Sequence, residues 1–171
     1  MNKILLYLLI FVTYVVFSKV FNPDYTSIDY IRSLTQLNTI ITQGPASAIL
    51  VKVYEKGFIF KTHYLQFKVV YPFQESHYLT VQTRKKIADQ NKEFVGLSVY
   101  RINSSQLAET IALPPGSLFI GNRQYGQWIQ EEDKFFWEFY RSFKHLPIEL
   151  GWGEFRPDKN FYDIVQEARK D

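Results

Sequence analysis

Four carboxylates are the first residues whose type and spacing suggest chemistry: Glu131, Glu132 and Asp133 in succession, then Glu138. Two carboxyl groups flanking a bond can serve as acid and base in hydrolysis. Consecutive residues point in different directions around a helix, so only some of the four can converge. The plainer reading is a solvated helix start, where acids favour the positive end of the dipole. His63, His77 and His145 are too few and too scattered for a metal site. His63 and His77 fall on neighbouring predicted strands, but a turn centred near Ser76 pairs His77 with Phe73 instead. No serine sits in a Gly-x-Ser-x-Gly elbow or a Ser-x-x-Lys motif, and no glycine-rich stretch reads as a phosphate or dinucleotide loop. The expectation is no catalytic residue, no metal and no cofactor.

Binding residues stand out more clearly. Arg84, Lys85 and Lys86 form a basic triplet with Lys92 nearby. From Lys61 to Arg101 seven basic residues face three acidic ones, a net +4, whereas from Glu131 onward seven face ten, a net −3. Such asymmetry could turn one side toward anionic headgroups or an acidic partner, although a solvated loop explains it too. Tyr125, Trp128, Trp137 and Trp152 form an aromatic group suited to sugars or protein interfaces. Trp137 belongs with a core or helix boundary, while Trp152, between two glycines, reads as exposed. The candidate binding residues are therefore Arg84, Lys85, Lys86, Tyr125, Trp128 and Trp152.

The segment that places all of these is the first 21 residues. Ile4 to Phe17 carries no charge, and extending the run to Val20 gives seventeen residues, or about 26 Å of helix. That is slightly short of the ~30 Å hydrocarbon core but within the range of membrane spans. Lys19 can snorkel, and Tyr7, Tyr14 and Phe21 suit the headgroup boundary. A retained anchor, a cleaved signal peptide ending near Val16-Phe17-Ser18, and a buried core helix all fit the pattern. Positive-inside logic leans to a cytoplasmic amino terminus, which places the rest outside the membrane.

The remaining 150 residues suffice for one domain with a sizeable core. They carry 18 Lys+Arg and 17 Asp+Glu, so the pI near 8.9 comes mostly from Lys3 and Lys19 and gives no case for nucleic acid. The chain has no cysteine, which excludes disulfides, thiolate metal sites, a cysteine nucleophile and a lipoprotein anchor. Packing must stabilise it, and thirty aromatic residues in the whole chain supply the means.

After the Asn22-Pro23-Asp24 turn, Tyr25, Ile28, Ile31, Leu34, Leu37 and Ile41 predict an amphipathic helix, with Thr26 and Asp29 as a capping box and Gly44-Pro45 as its end. Alternation then predicts a strand with Ile49, Val51 and Val53 on one face, and a turn at Glu55-Lys56-Gly57. A second strand runs from Phe58 to Phe73, and a third carries Leu79 and Val81. Arg84 to Lys92 reads as a loop or one short helix. Phe94 to Ile102 reads as a fourth strand with Val95, Leu97 and Val99 aligned, and Thr110 to Leu113 as a short fifth. A second helix is predicted over Ile129 to His145, with Ile129, Phe136, Phe139, Tyr140 and Phe143 on one face. A last one lies near Asn160–Lys170, with Phe161, Ile164, Val165 and Ala168 as its stripe.

The segment Val95-Gly96-x-x-Val99-Tyr100, within about residues 46–113, resembles a late barrel strand of bacterial membrane-anchored small β-domains of unknown function. The proline-containing end of such segments is missing after Arg101, and the C-terminal helices have no counterpart. The resemblance implies a non-enzymatic envelope role and assigns no functional residue.

The sequence therefore predicts an α+β protein. Residues 1–21 are an anchor or signal, 22–45 a juxtamembrane helix, and 46–171 a domain with an antiparallel sheet or small open barrel of four to six strands and C-terminal helices. Expected partners are the membrane, through residues 4–20, and an envelope protein, with no nucleic acid. The leading function is a non-catalytic binding or assembly module of a bacterial envelope. Its rivals are a secreted hydrolase acting on an envelope polymer, through Glu131 or Glu138, and an accessory subunit of a membrane complex.

Overall fold

The computed structural model describes residues 3–20, 28–58 and 60–170. Strand β3 (Thr62–Val70) is the spine of a six-stranded mixed sheet that curls into half a barrel. Its Leu65, Phe67 and Val69 are fully buried on one face, while Tyr64 and Val70 are buried from the other. A strand covered on both sides cannot alternate cleanly between apolar and polar, which is why this stretch is so rich in apolar residues. Antiparallel β2 (Ala46–Lys56) and β4 (His77–Thr83) flank it.

The meander stops there. α2 (Lys85–Asn91) and a 3-10 turn carry the chain back to β5 (Ser98–Ile102), which pairs with the free edge of β2 rather than with β4. β6 (Ala108–Glu109) adds to β5, and β1 (Tyr30–Ile31) pairs with β4 in parallel. The order is β1-β4-β3-β2-β5-β6.

Two bulges set which side chains go inward. Between Leu50 and Lys52 the β2–β3 register skips Val51. The extra residue swaps the faces, so Ala46, Ala48 and Leu50 pack with Val53 in one core while Ile49 packs in the other. The expected stripe of Ile49, Val51 and Val53 is therefore broken, and Val51 is left exposed. A second slip, opposite Ala48 and Ile49, lets both Val99 and Tyr100 of β5 enter the first core. β5 begins only at Ser98, so Val95, expected on it, is exposed.

Arg101 is buried within β5 and donates to the carbonyls of Ser98 and Ile111, each at 2.7 Å. Burial, more than anything else, lowers its pKa to about 10, so it stays cationic at neutral pH. Glu109 and Arg169 lie beside it.

Among the described residues, two of the predicted helices do not form. Thr26 and the Asn22-Pro23-Asp24 turn lie outside the described residues. From Tyr30 onward the segment forms β1 and a 3-10 helix at Leu34–Thr39, with Ile31, Leu37 and Ile41 in the core of the sheet. The three-residue spacing suits a 3-10 turn as well as a helix face. Residues 126–139 form a hairpin, β7 (Gly126–Glu131) and β8 (Lys134–Phe139), in place of the helix expected over 129–145. Glu132 sits at φ 53 in its two-residue turn, a conformation that stops a right-handed helix.

The second core lies between the sheet and the C-terminal half. There Ile49 and Val70 meet Phe119, Tyr125, Trp137, Phe143 and Leu146. A short α3 (Leu146–Glu149) and α4 (Lys159–Glu167) complete the layer. After two prolines, position 116 requires glycine: its φ is +91, and a Cβ there would lie 2.2 Å from the Trp152 ring.

α1 covers Lys3–Val20 and, except at Val15, exposes its apolar side chains from Ile4 to Phe17. The Thr13 hydroxyl donates to the Leu9 carbonyl at 2.6 Å and that of Ser18 to Val15 at 2.9 Å, so both are satisfied within the helix. Among the described residues, no helix is long and apolar enough to cross a membrane.

Candidate binding cleft

The six candidate residues do not share one surface. Tyr125 is 1% exposed, wedged edge-on between Phe119 at 5.3 Å and Phe143 at 5.2 Å, so it cannot offer a contact face. Trp128 is half-buried on β7 against Trp137 and Tyr162, with the Lys159 ammonium 5.2 Å from its ring centre. Trp152, expected to be exposed, is half-buried too. Its Nε1–H donates to the Pro115 carbonyl at 2.9 Å and its ring lies 5.6 Å from that of Phe139. The flanking glycines let the backbone turn so that the ring folds inward. Trp137 is core, as expected, but on a strand.

Arg84, Lys85 and Lys86 are exposed, at the start of α2. Arg84 Nε–H donates to the Tyr30 hydroxyl at 3.1 Å.

The carboxylates expected for the hydrolase are apart as well. Glu131 forms a two-point pair with Arg156, at 2.9 and 2.7 Å, and that hydrogen bonding lowers its pKa. Glu138 stands opposite Gln127, four residues back along β7 from Glu131, or about 13 Å of strand. Carboxyl groups that cooperate across a glycosidic bond are at most about 9.5 Å apart. His77 pairs with Val69 rather than Phe73, and His63 pairs with Thr83. His145 precedes α3 instead of ending a helix.

What the structure does bring together is a cleft of about 840 Å³ between the β3–β4 turn and the segment leading into α3. Pro72, Phe73 and Phe143 supply its apolar surface, and Gln74, Glu75, Ser76, Ser142, His145 and Glu149 its polar atoms. Phe73 is 62% exposed, with its ring edge-on to Phe143 at 5.5 Å and 6.3 Å from Tyr125. Tyr125 thus matters as support beneath the cleft. One polar knot holds the two walls. The Lys68 ammonium on β3 donates to the Glu149 carbonyl at 2.8 Å and to its carboxylate at 2.7 Å, and the Ser76 hydroxyl donates to the same carboxylate.

That knot fixes what the cleft can do. The hydrogen bond from Lys68, then that from Ser76, lowers the Glu149 pKa. A general acid at neutral pH needs a raised value, and a stabilised carboxylate is a poor base toward a serine hydroxyl. Among the described residues, no hydrogen bond joins His145 to Ser76 or Ser142, and no cluster of His, Asp and Glu could hold a metal. The volume suits a ligand or a short chain segment, with apolar walls and a few polar atoms to orient it. Sequence reading missed the cleft because its walls come from residues 72–76 and 142–149, which only the fold makes neighbours. Phe73, the last residue of the strand predicted from Phe58, lies beyond the end of β3 at Val70.

No family model, no curated protein and no solved structure matches the chain.

Proposed function

We propose that the chain is a membrane-tethered, non-catalytic binding module of a bacterial envelope. Its first helix serves as the tether, its domain lies on the outer side, and the Phe73–Phe143 cleft takes an apolar-faced segment of an envelope protein. The observation that carries this reading is the state of the cleft. Its central carboxylate is committed to Lys68 and Ser76, while Phe73 is left with most of its ring in solvent. Polar groups there close the walls instead of attacking a substrate. The tether rests on the exposed apolar surface of α1 and on the satisfaction of its two hydroxyls within the helix.

A photo-crosslinking residue in place of Phe73, in the full chain in living cells, tests the cleft. A single envelope-protein adduct is expected, and it disappears when Ser142→Trp fills the cleft. Unchanged crosslinking in the filled variant, or turnover of an envelope polymer that Glu149→Gln abolishes, would overturn the reading. The tether is tested separately by the mass of the chain in carbonate-washed membranes. The uncut 20.3 kDa is expected there, and a shortened soluble form would reject it.

A further inference from the structure

The β2–β3 turn carries the most exposed aromatic rings outside α1. Phe58 is 98% exposed and Phe60 75%, and neither meets another ring among the described residues. Register gathers the basic residues at the same end of the sheet. Glu55 of β2 faces His63 of β3, and His63 faces Thr83 of β4, after which Arg84, Lys85 and Lys86 open α2. Charge interactions agree with that placement: Lys92 acts on Glu55, and His63 on Asp89. Residues 52–61 and 84–93 together hold seven Lys+Arg and three Asp+Glu, a net of 7 − 3 = +4.

Apolar rings at a protruding tip, collared by cations, match the interfacial zone of a bilayer. There rings enter the acyl boundary while lysine and arginine meet lipid phosphates. The collar is partly preformed. Lys61 pairs with Glu55 at 2.5 Å, and Lys52 and Lys56 lie 5.3 and 6.0 Å from the Tyr54 ring centre. β2 is paired only with β3 over Lys52–Lys56, and the cations along that edge favour an anionic surface. We infer that this end of the sheet is a second membrane contact, with Phe58 and Phe60 inserting into an anionic bilayer and the basic residues of 52–61 and 84–86 docking on its headgroups.

For its orientation, though not for its chemistry, this inference rests on the tether reading. Eight residue steps separate Val20 from Ile28, a reach of at most about 28 Å. The chain then enters β1, whose Tyr30 meets Arg84 at the basic end.

The absence of cysteine makes the test clean. The full chain carrying Phe60→Cys, or Glu154→Cys as a control, is labelled with an environment-sensitive dye. It is reconstituted in phosphatidylcholine vesicles with or without phosphatidylglycerol. The expected result is a blue-shifted label at position 60, quenched by nitroxide lipids only when phosphatidylglycerol is present, with no such change at 154. Changing Arg84, Lys85 and Lys86 together to Gln should lower that quenching severalfold. Equal aqueous iodide quenching of both labels in anionic vesicles would overturn the inference. So would protection from iodide without nitroxide quenching, which marks protein contact instead. Failure of the tether shows differently, as release by carbonate.

Discussion

At the scale of single residues, Glu149 carries the most information because it accepts from two elements at once. Its pKa lies below the ordinary value of 4.5 in the folded chain, so the unfolded chain binds its proton first as acid is added. The contribution to stability is complete above about 4.5 and is lost as pH falls through the lowered native value. Acid should therefore loosen α3 from the β3–β4 turn before the sheet opens. Hydrogen exchange at the Leu150 amide, which bonds the Leu146 carbonyl, should accelerate in that window by at most about fivefold. In Glu149→Gln the amide should exchange faster from the outset and respond little to acid. A Leu150 amide whose exchange follows the sheet at every pH would show that the knot contributes nothing separate.

At the scale of elements, legibility followed how local the cause was. α4 was readable because Phe161 and Val165 share a stripe, whereas its N-cap, Asp158, emerged only from the fold. The Asp158 carboxylate accepts from the Phe161 amide at 2.8 Å. Asp158→Ala should cost about 1 kcal/mol in denaturant unfolding and fray the first turn of α4. Unchanged stability would mean that α4 is held by packing alone. β3, β4 and α2 were readable for similar reasons, from alternation or its loss. The 129–145 segment misled because Ile129, Phe136, Phe139, Tyr140 and Phe143 fit a helical face, although Trp137 and Phe139 also fit the two-residue alternation of a strand. What decided between them was nonlocal: Trp137 donates its backbone N–H to the Pro157 carbonyl, and Trp128 packs on Trp137 at 5.2 Å. Nor can composition announce a bulge, so the displacement of Val51 was invisible before the register was known. The basic triplet was found from its charge alone, whereas its neighbours Phe58 and Phe60 were absorbed into a strand that in fact begins only at Thr62.

At the scale of the whole molecule, the strands give the two proposed surfaces a direction. β3 runs for nine residues between them, from the turn that carries Phe58 and Phe60 to the turn that carries Phe73. Nine residues of strand cover about 30 Å. If the tip lies in the headgroup layer, the cleft stands about that far above the bilayer, open to a partner on the same side. Energy transfer measures this height directly. A donor on Ser142→Cys, at the lip of the cleft, and acceptors on lipid headgroups should give a closest approach of about 30 Å in anionic vesicles. Arg84, Lys85 and Lys86 changed to Gln should broaden and lengthen that distance, because the tether alone lets the domain tumble. An approach much shorter than one strand length, unaffected by those changes, would mean that the cleft end faces the membrane. The apolar cleft would then be a lipid-facing surface, and Phe58 and Phe60 would be left to meet a protein.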